Sequence, residues 1–149
     1  MILRKAVMEI WLKKRIDYQL EYFVNNKKQI VSELSRNSNN NSDWEPEQFI
    51  DQYRERLTTL KEIELDQFPS LPFVIINSRV TLYQPTKNDT MGITICFPEE
   101  ENVEFGLYSY LSPFGKKLLL KEVGAVIYGE INNESREVTI ENIEYSSSY

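Results

Sequence analysis

The sequence predicts an α+β protein in two parts: an N-terminal antiparallel α-helical coiled-coil hairpin over residues 1–70, then a small antiparallel β domain with one short helix over residues 71–149. Three observations carry this. Apolar residues recur from Leu3 to Leu34 at mostly helical steps with no proline or glycine among them. A polar connection, Ser35 to Glu47, is followed by a second stripe of the same period. After Phe68-Pro69-Ser70-Leu71-Pro72 the period shortens to that of strands.

The first stripe reads Leu3, Val7, Ile10, Leu20, Val24, Val31 and Leu34, with a gap around Lys13-Lys14-Arg15 that marks a stutter or a departure from the partner. One helix of about 32 residues would span about 48 Å at 1.5 Å per residue, too long to be enclosed by a chain this small. It must project or pair. Asn37 to Asn41 ends it, since asparagine accepts left-handed backbone and competes for local hydrogen bonds.

A second helix follows. Ser42 or Asp43 is the expected cap, Glu45 stands three residues after Ser42 as in a capping box, and Pro46 suits a first turn. Its stripe reads Phe49/Ile50, Tyr53, Leu57, Leu60 and Ile63/Glu64, and the prolines at 69 and 72 stop it. Two helices joined by a short loop pack antiparallel, so the connection becomes an exposed tip at about residues 37–46. Exposed loops on rigid supports are where binding residues concentrate. This one sets Asp43, Glu45 and Glu47 beside Trp44.

In the second part, strands are expected at Phe73 to Ile76, Arg79 to Tyr83, Gly92 to Phe97, Phe105 to Tyr110, Val126 to Ile131 and Glu137 to Glu144. Pro85 to Thr90 and Asn132 to Ser135 read as turns, and Glu99-Glu100-Glu101 as a solvated loop. The one helix expected here is Pro113 to Leu120, with Ser112 as its cap.

Composition removes several classes of function. With no histidine and one cysteine, Cys96, a Cys/His zinc site, a Ser-His-Asp triad and an internal disulfide are all excluded. Cys96 lies in an alternating strand and reads as a small buried hydrophobe. Charged residues interrupt every apolar run well short of the ~20 a membrane span needs, and no secretory pattern is present, so a cytoplasmic protein without a membrane partner is expected. The net charge of −6 argues against coating nucleic acid. Residues 1–36 hold eight Lys/Arg against four Asp/Glu, and residues 43–66 three against eight. Opposite signs suit antiparallel neighbours.

At Leu111-Ser112-Pro113-Phe114-Gly115-Lys116-Lys117-Leu118-Leu119-Leu120-Lys121-Glu122-Val123-Gly124 the sequence resembles the C-terminal domain of the bacterial transcript-cleavage factors of the GreA/GreB family. There a Ser-Pro helix start precedes a leucine pair and a Gly-Lys-Lys-Val-Gly turn; Leu120 stands where that turn usually has its first glycine. Ser78-Arg79-Val80-Thr81-Leu82 looks like the family's first sheet strand and Val138 to Tyr145 like its last. The order of elements matches too, since the family places a long coiled coil before an FKBP-like β domain.

The resemblance implies a factor that binds RNA polymerase and is no enzyme by itself. In the family the coiled coil enters the secondary channel, where acidic tip residues help hold a second Mg2+ at the polymerase centre and promote hydrolysis of backtracked RNA. Mg2+ takes one or two carboxylates beside water and phosphate, and two metals stabilise attacking and leaving oxygens. On this chain the implied tip ligands are Asp43, Glu45 and Glu47, with no cofactor or metal held by the chain alone. Tyr110, Leu111, Ser112, Pro113, Phe114 and Lys116 would form or border the apolar surface that grips the polymerase, rimmed by Lys116 and Lys117. Lys13, Lys14 and Arg15 are the candidates to meet nascent RNA phosphates, as are Lys27 and Lys28.

The tip departs from the cleaving members, which have Gly-Asp before the second helix, Glu three positions later, then Asn-Ala-Glu-Tyr. Here Asp43 matches the Asp and Phe49 the Tyr, but Pro46 occupies the position of the Glu. Non-cleaving relatives occupy the same channel and inhibit or modulate the polymerase. Two other readings stay open: a peptidyl-prolyl isomerase on the FKBP-like domain, and a coiled-coil adaptor with no polymerase role, whose heptad stripe also leaves self-association open.

Overall fold

A computed structural model describes residues 2–36, 45–131 and 133–146, with side chains from residue 6 onward. The chain divides into two compact units, Met1–Asp66 and Gln67–Tyr149. No described helix is long and apolar enough to cross a membrane.

The first unit contains α1 (Ile2–Asn25), α2 (Lys27–Arg36) and α3 (Pro46–Glu62). Only Asn26 separates α1 from α2. Its backbone N–H still reaches Tyr22 O and its carbonyl still accepts from Ile30 N, each at 3.0 Å, so the i→i−4 ladder passes through. The Asn26 side-chain amide also donates to Tyr22 O at 3.0 Å, sharing that acceptor with the backbone. α1 and α2 thus follow one another across Asn26 with the backbone hydrogen-bond ladder unbroken.

Cross-pairs run in opposite order along the chain: Asp17 with Lys61 at 2.5 Å, Gln19 with Tyr53 at 2.7 Å and Lys27 with Asp51 at 3.2 Å. The helices lie antiparallel. The buried face of α1 and α2 is Leu12, Ile16, Gln19, Phe23, Ile30 and Leu34, against Ile50, Tyr53, Leu57 and Leu60 of α3. This corrects the first stripe. Val7, Ile10 and Val24 are 44%, 56% and 54% exposed, and the seam passes through Lys13-Lys14-Arg15 without a gap. The helix carries two apolar stripes, and the one holding Leu12, Ile16 and Phe23 meets α3. α3 also ends at Glu62, before the prolines, with Ile63 turning to extended backbone (φ −91°, ψ 156°).

The second unit is a five-stranded sheet in the order β3-β2-β1-β5-β4, with β1 Ser78–Gln84, β2 Asp89–Cys96, β3 Leu107–Ser109, β4 Val126–Ile131 and β5 Glu134–Tyr145. β1 pairs antiparallel with β2 and β5, and β5 with β4; the β2–β3 pair is parallel. A bulge between Thr81 and Leu82 shifts the β1–β5 register. Val80 and Leu82 alternate inward with Ile93, Ile95, Val138, Ile140 and Ile143 to form the core. One helix, α4 (Pro113–Leu118), adds Phe114 and Leu118.

Phe73 to Ile76 is buried but is not a strand. Val74 N bonds to Lys121 O and the neighbouring Ile75 N to the Ser78 hydroxyl, so adjacent N–H groups go to different segments rather than to one ladder. The Phe105 to Tyr110 expectation shrinks to β3, because Val103–Phe105 forms a 3-10 turn that Gly106 ends in left-handed backbone (φ 75°).

Candidate docking groove and tip residues

The Ser-Pro segment is built around Ser109 and Ser112. The Ser112 hydroxyl caps α4 by accepting from Gly115 N at 3.0 Å and donates to Ser109 O at 2.6 Å; Ser112 N also donates to Ser109 O at 3.0 Å, and Leu111 N to the Ser109 hydroxyl at 3.0 Å. Gly115 makes this closeness possible: a Cβ there would lie 2.1 Å from Ser109 O. Pro113 supplies the first helical position, where no N–H is needed.

This segment walls a groove of about 390 Å³ lined by Glu101, Val103, Tyr108, Ser112, Pro113, Phe114, Lys117, Gly129, Glu130 and Asn133. Tyr108 and Phe114 stack edge-to-face beneath it, with centroids 5.8 Å apart. A second groove of about 400 Å³ continues across Lys117 to Tyr128, Arg136 and Glu137. The Lys117 ammonium donates to Tyr128 O at 2.7 Å, fixing the ridge between the two.

Of the six residues expected on an exposed apolar surface, Pro113 alone is exposed. Ser112 and Lys116 are half-buried, and Tyr110, Leu111 and Phe114 are buried. Tyr110 packs edge-on to Phe97 at 6.2 Å, inside the core. The patch is a groove with Phe114 toward its floor, because α4 turns its apolar face to the sheet. Burial lowers the pKa of Lys116 and raises that of the Tyr108 phenol. Tyr108, Glu101 and Gly129 escaped the sequence reading; they come from three separate segments, and only pairing and helix docking bring them together.

At the other candidate site, Asp43 lies outside the described residues, as do Ser42 and Trp44. Glu45 is exposed and is the N-cap of α3, with extended backbone (φ −109°, ψ 120°) and no side-chain cap bond. Its carbonyl accepts from Phe49 N at 3.0 Å. The cap is thus Glu45 rather than Ser42 or Asp43, because Pro46 already occupies the first helical position. Glu47 stands in the first turn, where the helix dipole favours a carboxylate. Lys27 reaches Glu47 at 3.5 Å and Asp51 at 3.2 Å, and the Asp51 hydrogen bond is the main cause of the raised Lys27 pKa. Among the described residues no group of three or more His, Cys, Asp or Glu is placed to hold a metal.

Lys13 and Lys14 are exposed and Arg15 is half-buried on α1. Lys14 lies over the Trp11 ring, 5.3 Å from its centroid.

Comparison with curated proteins finds no match. Among solved structures, the chain is similar to a prokaryotic transcription elongation factor GreA/GreB from Nitrosomonas europaea (21% identity, 64% of this chain and 79% of that one, TM-score 0.48). It is similar also to GreA factor homolog 1 (Gfh1) of Thermus thermophilus (21%, 89% and 94%, TM-score 0.46) and to Gfh1 of Thermus aquaticus (18%, 94% and 94%, TM-score 0.44). The family described as "Transcription elongation factor, GreA/GreB, C-term" matches residues 69–145, just over half of the 149 residues and the whole span that builds the groove. The chain belongs to the GreA/GreB family of transcription elongation factors.

Proposed function

We propose that this protein binds RNA polymerase and works in its secondary channel, the FKBP-like unit docking through the Pro113 groove and the coiled-coil hairpin carrying the tip carboxylates inward. The observation that carries the proposal is the family match over residues 69–145, the unit that contains the groove. A groove with an aromatic floor, an exposed Pro113 and polar rim groups has the form of a protein-docking site. Asp43 and Glu45 would supply one or two oxygen ligands to a Mg2+ that the polymerase itself holds. Held there, such a metal would supply charge stabilisation for the attacking and leaving oxygens of hydrolysis. This chain's part is to deliver carboxylates.

Transcript cleavage by a stalled, backtracked polymerase tests this, with and without the protein and its Asp43→Ala form. Shortened RNA that requires both the protein and Asp43 is the expected result. Absence of any effect on cleavage, together with no competition against a cleaving factor, would sink the polymerase reading.

One observation favours a non-cleaving modulator. Pro46 stands where cleaving relatives carry a glutamate, and the nearby Glu47 is engaged by Lys27. For that reading the same assay gives no shortening, but the protein suppresses stimulation by a cleaving factor.

A further inference from the structure

Phe105 is 79% exposed and Val103 44% exposed, yet the turn presenting them is fixed by hydrogen bonds. Asn102 and Leu107 exchange both backbone bonds at 3.0 Å, Phe105 N reaches Asn102 O and Gly106 N reaches Val103 O, each at 3.0 Å. Gly106 O accepts from Thr94 N at 2.8 Å, tying the turn to β2, and the Glu101 carboxylate accepts from Ser109 N at 3.2 Å. A large aromatic is thus held out in water by a preorganised turn, so little ordering cost remains when a partner covers it.

The charge around it selects the partner. Glu99, Glu100, Glu101 and Glu104 lie within six positions, and the sequence has no Lys or Arg between Lys87 and Lys116. Among the described residues none of the four carboxylates is in an ion pair. Their field reaches inward: burial is the main cause of the raised Cys96 thiol pKa, and Glu100, Glu101 and Glu99 add to it. An unneutralised acidic segment beside Phe105 in the chain disfavours nucleic acid, an anionic lipid surface and the same loop of a second copy. Val103 belongs both to this turn and to the wall of the Pro113 groove, so knob and groove form one surface.

We infer that Phe105 is a second anchor of the docking surface, inserting into an apolar socket ringed by Lys and Arg on the protein that fills the Pro113 groove. The inference rests on the polymerase reading and names the chemistry of the polymerase face involved.

The test is equilibrium binding of the full-length protein to core RNA polymerase at several salt concentrations. Phe105→Ala is expected to weaken binding about tenfold with an unchanged melting temperature, as an exposed hot-spot aromatic would, and Phe105→Leu to recover part of it. Glu99→Gln with Glu104→Gln is expected to slow association and flatten its salt dependence. Phe105→Ala binding within twofold of wild type, while Pro113→Asp abolishes binding, overturns the anchor and leaves the groove standing. No binding by the wild type overturns both. Sedimentation of the protein alone gives the remaining outcome: a dimer lost in Phe105→Ala would make a second copy the occupant and overturn the basic socket.

Discussion

The Tyr53 hydroxyl donates to the Gln19 side-chain oxygen at 2.7 Å across the antiparallel helices, and both side chains are fully buried. In an otherwise apolar seam this pair sets which residues face each other, as a buried polar group does in helical pairs. Tyr53→Phe removes the donor from a buried amide oxygen and is expected to destabilise the first unit by about 1–3 kcal/mol. A double-mutant cycle with Gln19→Leu should show coupling of about 0.5–3 kcal/mol by urea unfolding. Additive effects would mean the pair does not act as one.

Leu120 has φ 68°, the left-handed region, with its N–H held by Val74 O at 2.8 Å. A Cβ there costs about 1–2 kcal/mol. Leu120→Gly and Leu120→Ala both lose the side chain, but only glycine relieves the backbone. Leu120→Gly is therefore expected to be the more stable of the two by about 1 kcal/mol in thermal melts, the reverse of the usual order of alanine and glycine.

Two glycines separate fixed from yielding neighbours. At Gly115 an added Cβ meets the Ser109 carbonyl at 2.1 Å; at Gly92 it meets the end of the exposed Arg79 side chain at 2.6 Å. Gly115→Ala is expected to cost at least about 2 kcal/mol and, under the docking role proposed for the groove, to weaken polymerase binding by displacing Ser112 and Pro113. Gly92→Ala is expected to change stability by under about 0.5 kcal/mol. Melting temperature and binding measured on the pair separate the two cases.

Burial, with smaller contributions from Glu100, Glu101 and Glu99, pushes the Cys96 thiol from 9.0 up to about 12. Well below pH 9 the thiol is neutral in folded and unfolded chains alike and contributes no pH dependence. Between about pH 9 and 12 the unfolded chain ionises first, so stability falls as pH rises, by up to about 1.4 kcal/mol per unit. Urea unfolding of wild type against Cys96→Ala at pH 8 and pH 10.5 should show a steeper loss for wild type. The native thiol should also resist alkylation at pH 8.

The sequence by itself determined what local chemistry decides. Ser112 with Pro113 fixed the start of α4, since a hydroxyl cap and a proline at the first position act within one turn. β4 was legible to the residue as a short run of strand-forming residues ended by the polar Asn132 to Ser135 turn, and two amphipathic runs around a polar connection were enough to require helices that pair. Choices between equivalent local options waited for the tertiary structure. α1 carries two apolar stripes, and packing against α3 buried Leu12, Ile16 and Phe23 while leaving Val7, Ile10 and Trp11 in water. Phe73 to Ile76 has strand-like residues but finds separate hydrogen-bond partners instead of a neighbouring ladder. The groove is the same kind of outcome: the Ser-Pro motif named one wall, while Tyr108, Glu101 and Gly129 joined it because β3, its preceding loop and β4 converge on α4. Helix period and capping act over a few residues, whereas the buried face, a lone extended segment and a groove wall depend on what lies opposite.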